Sequence, residues 1–116
     1  MSSNQLPPEI QKKFVEYQQY QNQLRSIRVQ LDSSTRHSSE SKQTLKEIQN
    51  LDPSKNPEIY KMSGNVLFGS DLGTVKTDLE DSLEYLEIQI QKLNKKETEL
   101  ANKMKALEKE LSAFIK

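Results

Sequence analysis

Two long stretches of this 116-residue chain repeat apolar residues every three or four positions, and a short stretch between them does not. In the first, one face runs through Ile10, Phe14, Tyr17, Tyr20, Leu24, Ile27, Leu31, Ser34, Ser38, Ser41, Leu45 and Ile48. Alternating steps of three and four mark a helix that presents a narrow seam to a partner helix. Two successive three-steps, through Phe14, Tyr17 and Tyr20, break the rhythm and predict a local stammer. Between positions 33 and 41 hydroxyls stand where leucine is expected, so the helix should be thinner and less stable there. The second stretch carries the seam Val75, Leu79, Leu83, Leu86, Ile90, Leu93, Glu97, Leu100, Met104, Leu107, Leu111 and Phe114, with nearly every step three or four.

The ends of these stretches are marked. Leu6-Pro7-Pro8-Glu9 reads as a helix start, because proline suits the first turn and an acid there complements the helix dipole. Helix 1 is expected over about 8–51. It stops at Leu51-Asp52-Pro53-Ser54-Lys55-Asn56-Pro57, whose two prolines remove backbone donors and turn the preceding residues away from helix. A linker and β-hairpin follow over about 52–70. Ile59-Tyr60-Lys61-Met62 and Val66-Leu67-Phe68 flank Ser63-Gly64-Asn65, which is a hairpin signature with Gly64 supplying a positive φ. Helix 2 is expected over about 71–115, capped by Ser70 or Asp71. Its start is acidic (Asp78, Glu80, Asp81, Glu84, Glu87) and its end lysine-rich (Lys103, Lys105, Lys109, Lys116), again matching the dipole. Gly73 is its weak spot, costing about 1 kcal/mol against alanine in a helix interior.

The fold class that follows is mainly α: a long antiparallel two-helix coiled coil with a small β-hairpin between the helices, in a single domain over 1–116. Each helix of about 40 residues would span roughly 60 Å. Zipped antiparallel, they bring both termini together, with Ile10 near Phe114, Leu24 near Leu100 and Leu45 near Leu79.

Composition sharpens this picture. Only 33% of residues are hydrophobic and 29% are charged. Mean hydropathy is −0.86. A compact globule of this size carries a larger apolar share, so long thin helices burying a stripe account better for the pattern. The 17 basic and 17 acidic residues cancel, which removes the basic face that nucleic acid requires. Without cysteine there is no disulfide, thiol catalysis or Cys-based metal site. The N-terminus lacks the features of a signal peptide, and no apolar run approaches the ~20 residues of a membrane span. A cytoplasmic protein with no membrane contact is expected.

A two-helix hairpin has one seam and no second layer, so its stability alone is limited. The strand edges would also invite pairing with other chains. Both difficulties vanish if several hairpins close into a barrel. The β segment therefore reads as an assembly surface, built from Ile59, Tyr60, Met62, Gly64, Val66, Leu67 and Phe68.

Glu58-Ile59-Tyr60-Lys61-Met62-Ser63-Gly64-Asn65-Val66-Leu67 resembles the hairpin of the beta class of prefoldin chaperone subunits, typically Val-Tyr-Lys, a short spacer, glycine and an apolar strand. The Pro-Pro before a glutamine-rich helix, Leu79-Glu80-Asp81-Ser82-Leu83-Glu84 and the Lys/Glu-rich end agree, so the likeness covers nearly the whole chain. The archaeal type of beta subunit is the nearer match, the eukaryotic sixth-subunit type the alternative. Phe68-Gly69-Ser70 departs from the pattern, and a shortened second strand is the expected consequence. The resemblance implies a hetero-hexamer of two alpha-class and four beta-class subunits with a double β-barrel body. It further implies coiled-coil tips that hold non-native polypeptides, transfer to a group II chaperonin, and no nucleotide or other cofactor.

On that reading the client-binding set is Leu6, Ile10, Phe14, Leu107, Leu111, Phe114 and Ile115. Ile10, Phe14, Leu107 and Leu111 have a second reading, closure of the coiled coil. Leu6, Phe114 and Ile115 are expected to be exposed, because terminal turns fray and one seam cannot bury both Phe114 and Ile115. No catalytic or metal site is expected. His37 with Asp32 and neighbouring serines lacks the pocket a catalytic triad needs, and reads as a solvated histidine. The acidic run 78–87 lacks the glycine and ligand alternation of a calcium loop. The competing function is a structural coiled-coil tether without chaperone activity, which would have no use for an apolar β segment between two equal helices.

Overall fold

The computed structural model describes residues 6–115. Its elements are α1 (Pro8–Gln49), a 3-10 turn (Pro53–Lys55), β1 (Ile59–Ser63), β2 (Val66–Ser70) and α2 (Leu72–Ile115). Two long helices with an antiparallel hairpin between them in the chain are the expected class. Helix 1 ends two residues earlier than the pattern predicts. Asn50 and Leu51 instead close a turn onto the carbonyls of Glu47 and Ile48. The linker carries the 3-10 turn that the prolines did not reveal. Asp52 caps it by accepting from the Ser54 amide (2.9 Å), and Asn56 ends it with φ +46°.

The chain divides into two units. Unit 1 is Met1–Asp32 with Gln91–Lys116, and unit 2 is Ser33–Ile90. In unit 1 the helices run antiparallel, as the cross-helix contacts show. Lys13 pairs with Glu110 (2.9 Å), the Tyr17 hydroxyl donates to Glu108 (2.8 Å), and Arg28 Nε donates to Glu97 (3.4 Å). Leu24, Leu93, Leu100, Leu107 and Leu111 are buried there. Lys103 sits over the Tyr20 ring, 5.7 Å from its centroid.

The expected stammer is absent. Ile10, Lys13, Tyr17, Tyr20 and Leu24 are all at least half-buried, and they follow a regular three-four rhythm. Lys13 occupies the seam position assigned to Phe14. Its aliphatic stem lies along the seam while its ammonium reaches Glu110. That pairing raises the Lys13 pKa above its ordinary value, chiefly through the hydrogen bond to Glu110.

In unit 2, α1 from residue 33 runs antiparallel to the first part of α2, with Lys42 3.8 Å from Glu87. Only Ile48 and Leu83 are buried apolar residues here, and Ser38 is as deeply buried as either. Ser34 and Ser41 are half-buried, so the hydroxyl seam faces inward as the periodicity requires. No buried side-chain nitrogen or oxygen among the described residues lacks a partner. Asp71 caps α2 by accepting from the Thr74 amide and hydroxyl, each at 2.8 Å. The amide bond first, and the hydroxyl bond second, hold its carboxyl below the ordinary range.

The hairpin register pairs Ile59 with Ser70, Tyr60 with Gly69, Lys61 with Phe68, Met62 with Leu67 and Ser63 with Val66. The second strand is thus not shortened. Gly69 and Ser70 continue it, because glycine opposite Tyr60 leaves the ladder intact. Gly64 has φ +58° and Asn65 does not share the positive sign, which matches a two-residue turn with glycine in its first central position. Lys61 reaches Asp78 on α2 (3.5 Å) and ties the hairpin to the helix it precedes.

Candidate functional site

Among the described residues, the helix ends of unit 1 and the hairpin of unit 2 are the largest groups of exposed apolar side chains. In unit 1 the group lies where α1 begins and α2 ends. Leu107 and Leu111 are buried and close the seam. Ile10 is half-buried. Leu6 is also half-buried rather than free: Gln11 Nε2 donates to its carbonyl (2.8 Å) and folds the segment back onto the first turn. Phe14 is 36% exposed, Phe114 42% and Ile115 73%. Val15, 52% exposed beside Phe14, belongs to the same apolar end and was not anticipated. Its signal was an apolar residue off the seam on a helix whose outer positions are mostly polar.

Why Phe14 emerges follows from Lys13. A helix places positions 13 and 14 about 100° apart, so one seam cannot hold both. At the other terminus, Phe114 and Ile115 are the last turn of α2 and have little helix opposite them. Tyr17 stands one turn in from Lys13. Its pKa is raised, first by the hydrogen bond it donates to Glu108 and then by partial burial, which strengthens a clasp across this end.

The second surface is the hairpin. Tyr60, Met62 and Leu67 lie on one face and are all more than half exposed, as are Val66 and Phe68 on the other. Ile59 is half-buried and anchors the strand start. The Tyr60 hydroxyl donates to Glu58 (3.2 Å), which turns only its polar tip away from the apolar set. The sheet has two strands, so the outer edge of each presents unpaired backbone groups. A two-edged hairpin of this size is marginal alone in water.

His37 lies 3.9 Å from Glu40 on one helix face, both well exposed. No group of three or more His, Cys, Asp or Glu among the described residues could hold a metal ion. Among the described residues, no helix is long and apolar enough to cross a membrane. The chemistry on display is adhesive: apolar side chains, open backbone edges and scattered charge.

Comparison with known proteins agrees. Residues 11–116 match the prefoldin subunit family model. The prefoldin subunit beta of Sulfurisphaera tokodaii is 30% identical over 116 residues, covering 97% of this chain and 89% of the relative. That of Pyrococcus horikoshii is 26% identical over 111 residues, covering 96% and 93%. The crystal structure of the prefoldin beta subunit from Thermococcus strain KS-1 superposes with a TM-score of 0.79 at 25% identity, covering 92% of each chain. These relatives bear out the resemblance to the archaeal-type beta class. The family consists of chaperone subunits that assemble into hetero-oligomers, not of enzymes, and this chain belongs to the prefoldin subunit family.

Proposed function

We propose that the chain is an ATP-independent holdase subunit. It captures unfolded polypeptides at the end of unit 1 and delivers them to a group II chaperonin. It does so as a single prefoldin-like domain within a cytoplasmic hetero-hexamer of two alpha-class and four beta-class subunits. The observation that carries this reading is the pair of uncovered apolar surfaces, one at the helix ends and one on a two-edged hairpin. The hairpin set Ile59, Tyr60, Met62, Gly64, Val66, Leu67 and Phe68 serves assembly, since joining edges to neighbours satisfies the backbone and buries the strand faces together. The end set serves clients. Phe14, Phe114 and Ile115 make the first contact, joined by Ile10 and Leu6 when the terminal turns loosen, while Leu107 and Leu111 hold the seam beneath them. Exposed apolar groups of this kind grip non-native chains by area rather than by sequence.

Native mass spectrometry of the chain, alone and mixed with a prefoldin alpha-class subunit, tests the assembly. A particle with two alpha chains and four of this one is expected. A monomer or dimer that ignores the alpha chain would leave a coiled-coil tether as the better account. Phe114→Ser with Ile115→Ser is expected to keep the particle and weaken suppression of client aggregation. Unchanged suppression would refute the end assignment.

A further inference from the structure

Tyr85 and Ile88 are the apolar residues of α2 in unit 2 that neither the seam nor the hairpin explains. They are 63% and 46% exposed, three positions apart on α2, and so share a face. The seam in this stretch runs through Leu83, Leu86 and Ile90, on a different side of the helix. Single exposed apolar residues are ordinary, but this pair has a setting. A groove of about 490 Å³ opens beside Tyr85, lined by His37, Ser41, Asp81, Ser82 and Leu86. α1 borders it with His37 and Ser41, a small seam residue where leucine would fill more of the space.

The rim of this face is acidic. Asp81 stands one turn before Tyr85 and Glu84 one turn before Ile88, each at the i, i+4 spacing that places side chains together. Glu87 and Asp78 are taken up by Lys42 and Lys61. Asp81 and Glu84 have no such ion pair among the described residues. Lys92, one turn beyond Ile88, ends the acidic stretch.

We propose that the Tyr85–Ile88 face of α2, with its adjoining groove, is a second gripping surface for non-native polypeptide, selective for segments that mix apolar with basic residues. The apolar pair supplies area, the groove admits one apolar side chain, and the two free carboxylates favour lysine or arginine beside it. This rests on the holdase reading, and it adds a charge preference that the end of unit 1 does not share, because lysines and glutamates nearly balance there.

The probes are two fluorescein-labelled unstructured peptides of leucine and serine, one also carrying lysines and the other glutamates, titrated by anisotropy into the chain assembled with an alpha-class partner. The lysine peptide should bind more tightly, and rising salt should narrow the gap. Tyr85→Ser with Ile88→Ser should weaken capture of the lysine peptide roughly three- to ten-fold, the scale of two partly exposed side chains. Phe114→Ser with Ile115→Ser should lower capture of both peptides alike. Asp81→Lys with Glu84→Lys keeps the apolar pair, and should reverse the preference even if the serine variant folds poorly. If the Tyr85/Ile88 variant binds as the parent does while the terminal variant loses binding, this surface is refuted and the holdase reading stands. If the parent captures neither peptide, both fail. If the Tyr85/Ile88 variant instead abolishes a concentration-dependent self-association, the occupant is a second copy of this chain and the proposal is overturned.

Discussion

The two units are built from the same helices, yet they bury different things. Unit 1 closes over five leucines, with Lys13–Glu110, Tyr17–Glu108 and Arg28–Glu97 clasping its flanks. Unit 2 closes over Ile48 and Leu83, with Ser34, Ser38 and Ser41 in the seam and a hairpin whose apolar faces are uncovered. Burial of a leucine side chain contributes about 1.5–3 kcal/mol, and a serine contributes almost none of this. The lesson is that seam position sets which residues turn inward, while side-chain chemistry sets how much is gained. Unit 1 gains more from its own seam, and unit 2 gains less.

The comparison breaks first at the leucines. Leu107→Ala is expected to destabilise unit 1 by about 2–4 kcal/mol, because the seam leaves a cavity with no second layer to collapse into it. Denaturant unfolding measures this, and Ser38→Ala in unit 2 should cost far less. Similar losses at both sites would mean that the serine seam is as well packed as the leucine one.

Next comes the hairpin. Gly64→Val places a β-branched residue at φ +58°, where left-handed backbone costs about 1–2 kcal/mol. No neighbour lies close enough to clash, so the strain is purely conformational. Native mass spectrometry should show fewer assembled particles. Normal assembly would mean that the turn adapts.

Filling the serine seam sharpens the contrast from the other side. Ser41→Leu is expected to stabilise unit 2 by roughly 1 kcal/mol, a partly buried leucine in place of a hydroxyl. Amide exchange over residues 33–41 should slow. Unchanged exchange would assign the looseness of this stretch to helix propensity rather than to its seam.

The smallest effect is the cap of α2. Folding lowers the Asp71 pKa, so its contribution is present above the ordinary carboxylate pKa and is lost as pH falls through the folded value. Lys13 and Tyr17 carry raised values, so their contributions hold below the ordinary pKa and are lost as pH rises through the folded one. Acid titration should therefore loosen the start of α2 in unit 2, and alkaline titration the clasped end of unit 1. Amide exchange at Thr74 and Tyr17 reads the two separately. In Asp71→Ala the acid response at Thr74 should disappear.

Much of this was legible before the structure. The three-four rhythm assigns nearly every seam residue, because a helix has one period and its buried side must recur with it. Proline, glycine and Asp71 mark the boundaries for equally local reasons. What failed was also instructive. Phe14 looked like the seam because it is apolar, and Lys13 looked like surface because it is charged. Yet Lys13 continues the rhythm, and it can do so only because Glu110 waits on the other helix. Gly69 and Ser70 looked like the end of a strand, but pairing with Tyr60 and Ile59 keeps them in it.

The sequence by itself determined the class of fold, the length and spacing of its elements, the positive φ at Gly64 and the likeness to the prefoldin beta class. The first three follow from local backbone preference and period, and the likeness rests on the hairpin motif Glu58–Leu67. The tertiary structure alone decided which of Lys13 and Phe14 turns inward, that Leu107 and Leu111 are sealed, and that Tyr85 borders a groove. Those outcomes depend on what stands across the seam, and the partner across a seam is a matter of three-dimensional register that no single helix encodes.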